Sequence, residues 1–188
     1  MVISRDIART LPDEELLRYI KNGDKWIFSV LVERYQDLVA GIVMGMIGRC
    51  PEAEDLGQEI FIRLYKGLPN FRQQATLKTY ISRIAINICY DEIRRRKQDR
   101  YSKEIIIEDK DMPVKTTDPE TVSDIGKSIA FALKQLEPVQ RSVVIMRLSE
   151  GFSVKETAAI LGIPEGTVLS KLYRAQLKLR DILKKDLY

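Results

Sequence analysis

Apolar residues recur at steps of three and four along almost the whole of this 188-residue chain, and no stretch alternates apolar with polar residues for long enough to make a strand. A repeat near 3.6 puts apolar side chains on one side of a helix, whereas strands need a repeat of two. The fold class that follows is all-α. A first helix is expected from about Asp13 to Lys21, stopped by Asn22-Gly23. A long second helix, with Asp24 as its cap, turns Ile27, Leu31, Tyr35, Leu38 and Ile42 inward and ends near Gly48. Pro51 opens a third, with Glu52, Glu54 and Asp55 in the first turn, where the helix dipole favours carboxylates, and Leu56, Ile60, Leu64 and Leu68 as its inner stripe. A fourth runs from about Leu77 to Lys97 with Leu77, Ile81, Ile84 and Ile88 inward and Cys89 beside them. From Asp99 to Asp124 the periodicity fails. Pro113, Pro119, many charges and one apolar patch, Ile105 to Ile107, suggest a flexible linker. Short helices are expected again from about Ile125 to Gln135 and from Pro138 to Gly151.

The last of these segments, Phe152 to Leu183, carries the most chemistry. Ser153 stands three residues before Glu156, the spacing at which two side chains cap a helix start reciprocally. Ala158 to Leu161 give small apolar surface, Gly162 can end the helix in a left-handed turn, and Pro164 suits the start of the next. Val168, Leu172, Ala175, Leu179 and Leu183 then form one apolar stripe, and Thr167, Ser170, Lys171, Arg174 and Lys178 gather on the opposite side. This is the pattern of a helix-turn-helix. Arg174 offers a fork for guanine, Ser170 a small donor or acceptor, and Lys171 a phosphate contact.

Composition narrows the alternatives. With no histidine, no Walker loop, no GxGxxG and no nucleophile elbow, the chain lacks the usual means of acid–base, phosphate or nucleophilic catalysis, so no enzyme, no catalytic residue and no cofactor is expected. Cys50 and Cys89 are too few and too far apart for a metal motif and are expected as buried free thiols. No run approaches a membrane span and no signal peptide is visible, which gives a cytoplasmic reading. The net charge of +4 conceals a pattern: residues 1–100 hold 17 basic and 14 acidic side chains, residues 101–124 hold 3 and 7, and residues 125–188 hold 11 and 6. Two basic blocks flank an acidic strip, as two nucleic-acid-facing modules joined by a connector would.

Within the first block, Arg94, Arg95, Arg96, Lys97 and Arg100 end the fourth helix. Cations suit any helix C-terminus, but five in seven residues suggest phosphate contact as well. Upstream, Phe71, Arg72, Lys78, Tyr80 and Arg83 interleave rings with charges, a mixture able to stack unpaired bases and grip the backbone. Tyr80 taken alone reads equally well as core. Asp55, Gln58, Glu59 and Arg63 lie outward on the third helix, an ordinary solvated face in isolation.

Three stretches together resemble a sigma factor of the extracytoplasmic-function type, in the sigma-70 superfamily. AEDLGQEIFIRLYKGL (53–68) is similar to that family's core-polymerase-binding helix, FRQQATLKTYISRIAINICYDEIRRRK (71–97) to its promoter −10 segment, and GFSVKETAAILGIPEGTVLSKLYRAQLKLR (151–180) to its −35 helix-turn-helix. Their order and the acidic linker match too, from about Leu16 to Leu183. The resemblance implies two small helical domains, 1–98 and 125–188, joined by a linker over 99–124. The first would bind the clamp helices of the polymerase largest subunit through Asp55, Gln58, Glu59 and Arg63. It would hold the melted −10 element through Phe71, Arg72, Lys78, Tyr80, Arg83, Asn87 and Arg94 to Lys97, with a flipped base received by the loop Asn70 to Thr76. The second would read the −35 element through Thr167, Ser170, Lys171, Tyr173, Arg174 and Lys178. The implied partners are core RNA polymerase, promoter DNA and an anti-sigma factor, often membrane-anchored in this family, and the implied location is the cytoplasm, on the nucleoid when active. Two departures stand out: Leu169 replaces the usual Lys or Arg, and Tyr80 replaces a common tryptophan.

Two other readings compete. A free-standing helix-turn-helix regulator accounts for 151–180 but leaves 53–97 unexplained, and an adaptor using its apolar helices would show no salt-dependent DNA affinity. An integrase-like enzyme lacks its catalytic constellation.

Overall fold

A computed structural model describes residues 3–104 and 124–185, with side chains over 3–99 and 126–184. Nine α-helices occur among the described residues: α1 Arg5–Thr10, α2 Asp13–Lys21, α3 Ile27–Ile47, α4 Glu52–Gly67, α5 Leu77–Glu104, α6 Asp124–Lys134, α7 Pro138–Val144, α8 Val154–Leu161 and α9 Glu165–Lys185. Most of the acidic segment, including Ile105 to Ile107, lies outside the described residues.

α3 is the axis of the first half. Ile27, Leu31, Tyr35 and Ile42 are buried as the periodicity requires, and Val39 goes deeper than Leu38, which is only half-buried. α4 brings Leu56, Ile60, Leu64 and Leu68 against it, and α5 closes the group with Leu77, Ile81, Ile88 and Cys89. Several boundaries differ from expectation for local reasons. α1 carries too short a pattern to be legible. It is capped by Ser4 and pinned to α3 by Arg5 and Arg9, which both grip Glu33. Asp24 does not cap α3; its backbone carbonyl accepts from Ile27 N in a preceding turn, and Trp26 occupies the cap position without a side-chain bond. α5 continues beyond Lys97 to Glu104, through a charged stretch that has no breaker residue.

In the second half, the expected Pro138–Gly151 helix splits. α7 ends at Val144, and a wider π turn over Ile145–Ser149 carries the chain to Gly151, whose φ of 70° ends the run. The start of α8 matches its sequence signal: Glu156 N donates to Ser153 Oγ at 3.1 Å, and Ser153 N donates to Glu156 Oε2 at 2.8 Å. Gly162 follows at φ 66°, the left-handed position for which glycine is suited. Leu136, Val144 and Ala175 bury together, with Leu133, Leu172 and Leu179 packed against them.

The two halves touch. Ile145, Met146, Phe152 and Ile160 are buried in the same apolar cluster as α3, α4 and α5. Arg141, only 9% exposed, donates to the carbonyls of Leu133 (2.7 Å), Lys134 (2.7 Å) and Leu136 (3.2 Å), and reaches across to that of Met46. One side chain thus satisfies the C-terminal carbonyls of α6 while binding that helix to α3.

Candidate nucleic-acid and polymerase interfaces

α4 turns two faces to its surroundings. Its apolar stripe is spent on the core, which leaves Asp55, Gln58 and Arg63 exposed and Glu59 half-exposed along the outer side. Arg63 donates to Glu59 Oε1 at 2.6 Å, an i,i+4 pair open to water and worth only a few tenths of a kcal/mol, about 0.3–0.5. The same outward face continues into a feature that polar-residue reasoning misses. Phe28, Phe61, Ile62 and Tyr65 line an apolar cleft of about 340 Å³, rimmed by Lys25 and Lys66. Phe28 and Tyr65 meet edge to face at 4.9 Å, and Ile62 remains 52% exposed. Its sequence signal was Phe61 and Ile62 standing beside the buried stripe, which makes α4 apolar over more than one side.

The loop after α4 shapes a second cleft, of about 310 Å³. Phe71, Gln73, Ala75, Thr76 and Leu77 form one wall, and Asp13, Glu14 and Leu17 of α2 the other. Gln73 is held at φ 56°, a left-handed conformation uncommon for a residue with a side chain. Asp13 is already committed: Arg34 donates to it at 2.6 Å, and so does the Tyr35 hydroxyl, whose pKa is raised first by burial and then by that bond. Phe71 is buried and stacks on half-buried Tyr80, ring centres 4.7 Å apart, so both rings are packed into the fold rather than offered as an open platform. Arg72 is exposed on the loop.

Along α5, Arg83, Asn87 and Arg94 follow one side at helical spacing, all exposed. Asn87 does not line the loop cleft; it stands ten residues beyond Leu77, on the order of 15 Å along the axis. The basic cluster is internally paired. Arg95 and Arg96 both grip the buried Glu92, Arg96 also reaches Glu52 at 3.2 Å, and Arg94 lies 3.5 Å from Asp91. Lys97 is exposed, and the side chain of Arg100 lies outside the described residues. Lys78 and Arg83 donate to backbone carbonyls of the second half, those of Glu150 and Ala159. Sequence reading gave no sign of these contacts.

In α9 the apolar stripe is turned inward, with Val168 and Ala175 fully buried. Ser170, Tyr173 and Arg174 are exposed, Tyr173 by 64%, while Thr167 and Lys171 are half-buried. Lys171 sits 3.7 Å from Glu137, and Lys178 donates to the Gln135 carbonyl at 2.5 Å. Ser170 Oγ donates to the Thr167 carbonyl. Leu169 is 54% exposed, an apolar side chain on an otherwise polar surface. Both cysteines are free, Cys89 buried and Cys50 half-buried, and burial pushes the Cys89 thiol up to about 12. Among the described residues no cluster of acidic or sulfur ligands could hold a metal, and no helix is long and apolar enough to cross a membrane.

A helix-turn-helix with its polar face outward, in one chain with a helical unit that carries an exposed acidic and apolar helix face, defines a helical DNA-binding protein built to engage a second macromolecule. The sigma-70 region 2 model matches residues 31–99 and the sigma-70 region 4 model residues 127–179. The RNA polymerase sigma-H factor of Pseudomonas aeruginosa is 30% identical over 173 residues, covering 87% of this chain and 90% of its own. The extracytoplasmic-function sigma-E factor of Haemophilus influenzae is 30% identical over 179 residues, covering 90% and 94%. In fold the chain is similar to CnrH solved in complex with the cytosolic domain of CnrY (TM-score 0.71, 22% identity, covering 93% of this chain and 98% of that one). The chain belongs to the sigma-70 family, as a sigma factor of the extracytoplasmic-function type. It is accordingly a promoter-recognising transcription initiation factor.

Proposed function

We propose that residues 1–98 act as the polymerase- and −10-binding domain, residues 99–124 as a connector, and residues 125–188 as the −35-binding domain. The protein works by positioning other molecules and carries no catalytic step of its own. The observation that carries this reading is the outer side of α4. An acidic and polar stripe, Asp55, Gln58 and Glu59, runs into an exposed apolar cleft at Ile62 and Tyr65. A solvated helix has no need of such a cleft, whereas exposed apolar patches with polar rims mark protein docking sites. Its occupant is the clamp-helix coiled coil of the polymerase largest subunit, with Arg63 at the margin.

The cleft beside Asn70 to Thr76 is the candidate receptor for a flipped non-template base. Unstacking costs a few kcal/mol, which contacts in an enclosed site must offset. Phe71 and Tyr80 serve by holding that loop in shape. Arg72, Lys78, Arg83, Asn87 and Arg94 to Lys97 track the strand beyond it. α9 enters the major groove at the −35 element with Ser170, Tyr173 and Arg174 toward bases, and Thr167, Lys171 and Lys178 toward the backbone. Leu169 takes a thymine methyl rather than a phosphate. CnrH was solved with CnrY, and a sigma factor from Bartonella quintana with the anti-sigma factor NepR, at 23% identity and a TM-score of 0.68. By likeness we extend to this chain an anti-sigma partner, membrane-anchored, that covers the polymerase- and DNA-binding faces until released. The active protein then sits on the nucleoid.

The test is Asp55→Ala combined with Gln58→Ala. Both side chains are exposed, so circular dichroism and thermal midpoint should be unchanged while core-polymerase affinity falls by tenfold or more, about 1.4 kcal/mol or above. A double variant that binds core polymerase as tightly as the parent removes α4 from the interface.

A further inference from the structure

Glycine is among the least favourable residues inside a helix, because it gives up the most backbone freedom on folding. Close packing is one physical reason for a helix to keep one, and at three positions this chain has it. A Cβ at Gly41 would stand 2.6 Å from Glu150 Oε1, and one at Gly45 would stand 2.8 Å from Ile145 Cδ1. One at Gly67 would overlap the Tyr80 hydroxyl. Gly57 in α4 and Gly166 in α9, by contrast, have no atom within 4 Å of the same point. Gly166 is the second residue of α9, in a first turn whose hydrogen bonding is incomplete in any helix. Gly57 is the sixth of the 16 residues of α4, has no positive φ and faces open space. Nothing within the chain accounts for it.

Its place on α4 supplies a reason from outside. Ala53, Gly57, Phe61 and Tyr65 follow one another at steps of four and so form one row along the helix. Phe61 and Tyr65 line the apolar cleft. One turn before Phe61, about 6 Å along the axis, the row falls to bare backbone at Gly57, with the small Ala53 beyond. A cleft followed one turn later by a notch repeats the spacing at which a second helix presents its own successive turns. Packed helices lie about 8–10 Å apart, a distance set by the side chains at the crossing, and glycine gives the shortest.

We propose that Gly57 is the point of closest approach between α4 and a partner helix. That helix seats one apolar side chain in the cleft of Phe61 and Tyr65 and packs its next turn directly on the backbone at Gly57. The proposal rests on the reading of α4 as the polymerase-binding helix, and makes the partner one helix of the clamp-helix coiled coil. The two ends of the row differ in charge: Lys25 and Lys66 rim the cleft, while Glu54 stands exposed beside the notch. The partner helix accordingly carries carboxylates over the cleft and a cation over the notch. A methyl group at position 57 is unobstructed in the isolated protein and in the way in the complex. Stability and binding therefore pull in opposite directions at this one residue.

Gly57→Ala and Gly57→Leu in the full chain test this, since both residues suit a helix better than glycine and neither Cβ meets an obstacle in the free protein. The chain, labelled with fluorescein at its N-terminus, is titrated with purified core RNA polymerase by anisotropy, and the thermal midpoint is read by circular dichroism. The expected midpoint for Gly57→Ala is about 2 °C above the parent's, with unchanged helix content. Core-polymerase affinity should fall about fivefold with alanine and about fiftyfold with leucine, the span over which overfilling a packed contact acts. Parent-like affinity in both variants, while Asp55→Ala with Gln58→Ala still weakens binding, overturns the closest approach and leaves α4 as the interface. If that double variant also binds as tightly as the parent, the reading of α4 fails and the proposal with it. A midpoint lowered by Gly57→Ala overturns the proposal as well, by showing that the glycine serves the fold.

Discussion

Ser153 shows how far one residue can be read from sequence to energy. Its hydroxyl accepts from Glu156 N, and its own N–H is taken by the Glu156 carboxylate, so two donors at the start of α8 are satisfied reciprocally. The Ser153 hydroxyl first, and the backbone N–H second, hold the Glu156 carboxyl below the usual carboxylate range. With the folded-state pKa depressed, this stabilisation is present above the unfolded value and is lost as pH falls through the folded one. Ser153→Ala should therefore cost about 1 kcal/mol near neutral pH, a gap that narrows in acid as Glu156 is protonated. Chemical denaturation at two pH values measures it; equal stability of variant and parent at neutral pH would show that the cap contributes nothing. Arg141 was illegible by comparison. Nothing in VQRSVV separates an arginine that will end 9% exposed from one that solvates a helix, because its four carbonyl acceptors come from α6, the turn after it, and α3.

Elements were readable where periodicity met a stop signal. α2 stops, α4 starts, α8 starts and stops, and α9 starts near the expected caps and breakers because each signal is local: Asn22-Gly23, Pro51, Ser153 with Glu156, Gly162 and Pro164. The signals for α1 and the π turn are not local ones: Arg5 and Arg9 of α1 grip Glu33 of α3, and Ile145, where the π turn begins, packs closely on Gly45 of α3. The glycine pair at 41 and 45 did stand in the sequence at helical spacing, a hint of close approach that the apolar stripe overshadowed. For α9, the assignments separate by chemistry. Arg174→Ala should relax discrimination at one −35 position by about 1–3 kcal/mol, as a lost base contact does. Lys171→Ala should weaken all sequences alike and lower the salt slope by about one. Binding measured over a set of −35 variants at several salt concentrations distinguishes them. Identical effects of the two substitutions would mean that α9 grips only the backbone.

At the scale of the molecule, the charge pattern and motif order gave the plan of the chain, but not the seam between its halves. Periodicity reports which side of a helix is apolar; it does not report that α5 will lend Lys78 and Arg83 to carbonyls in the other half. The apolar cleft on α4 was hidden for a related reason, since an exposed Ile62 and a buried Ile60 look alike in a hydropathy pattern. The proposed role joins these features, with polymerase on the α4 cleft and promoter DNA on α5 and α9. Run-off transcription addresses that most directly: purified core RNA polymerase, a library of upstream fragments, and this protein added or withheld. Discrete start sites that appear only with the protein, and whose upstream sequences align into −35 and −10 elements, are the predicted result. No transcript from any fragment, together with a palindromic footprint by the protein alone, would contradict the account and leave residues 53–97 without a purpose.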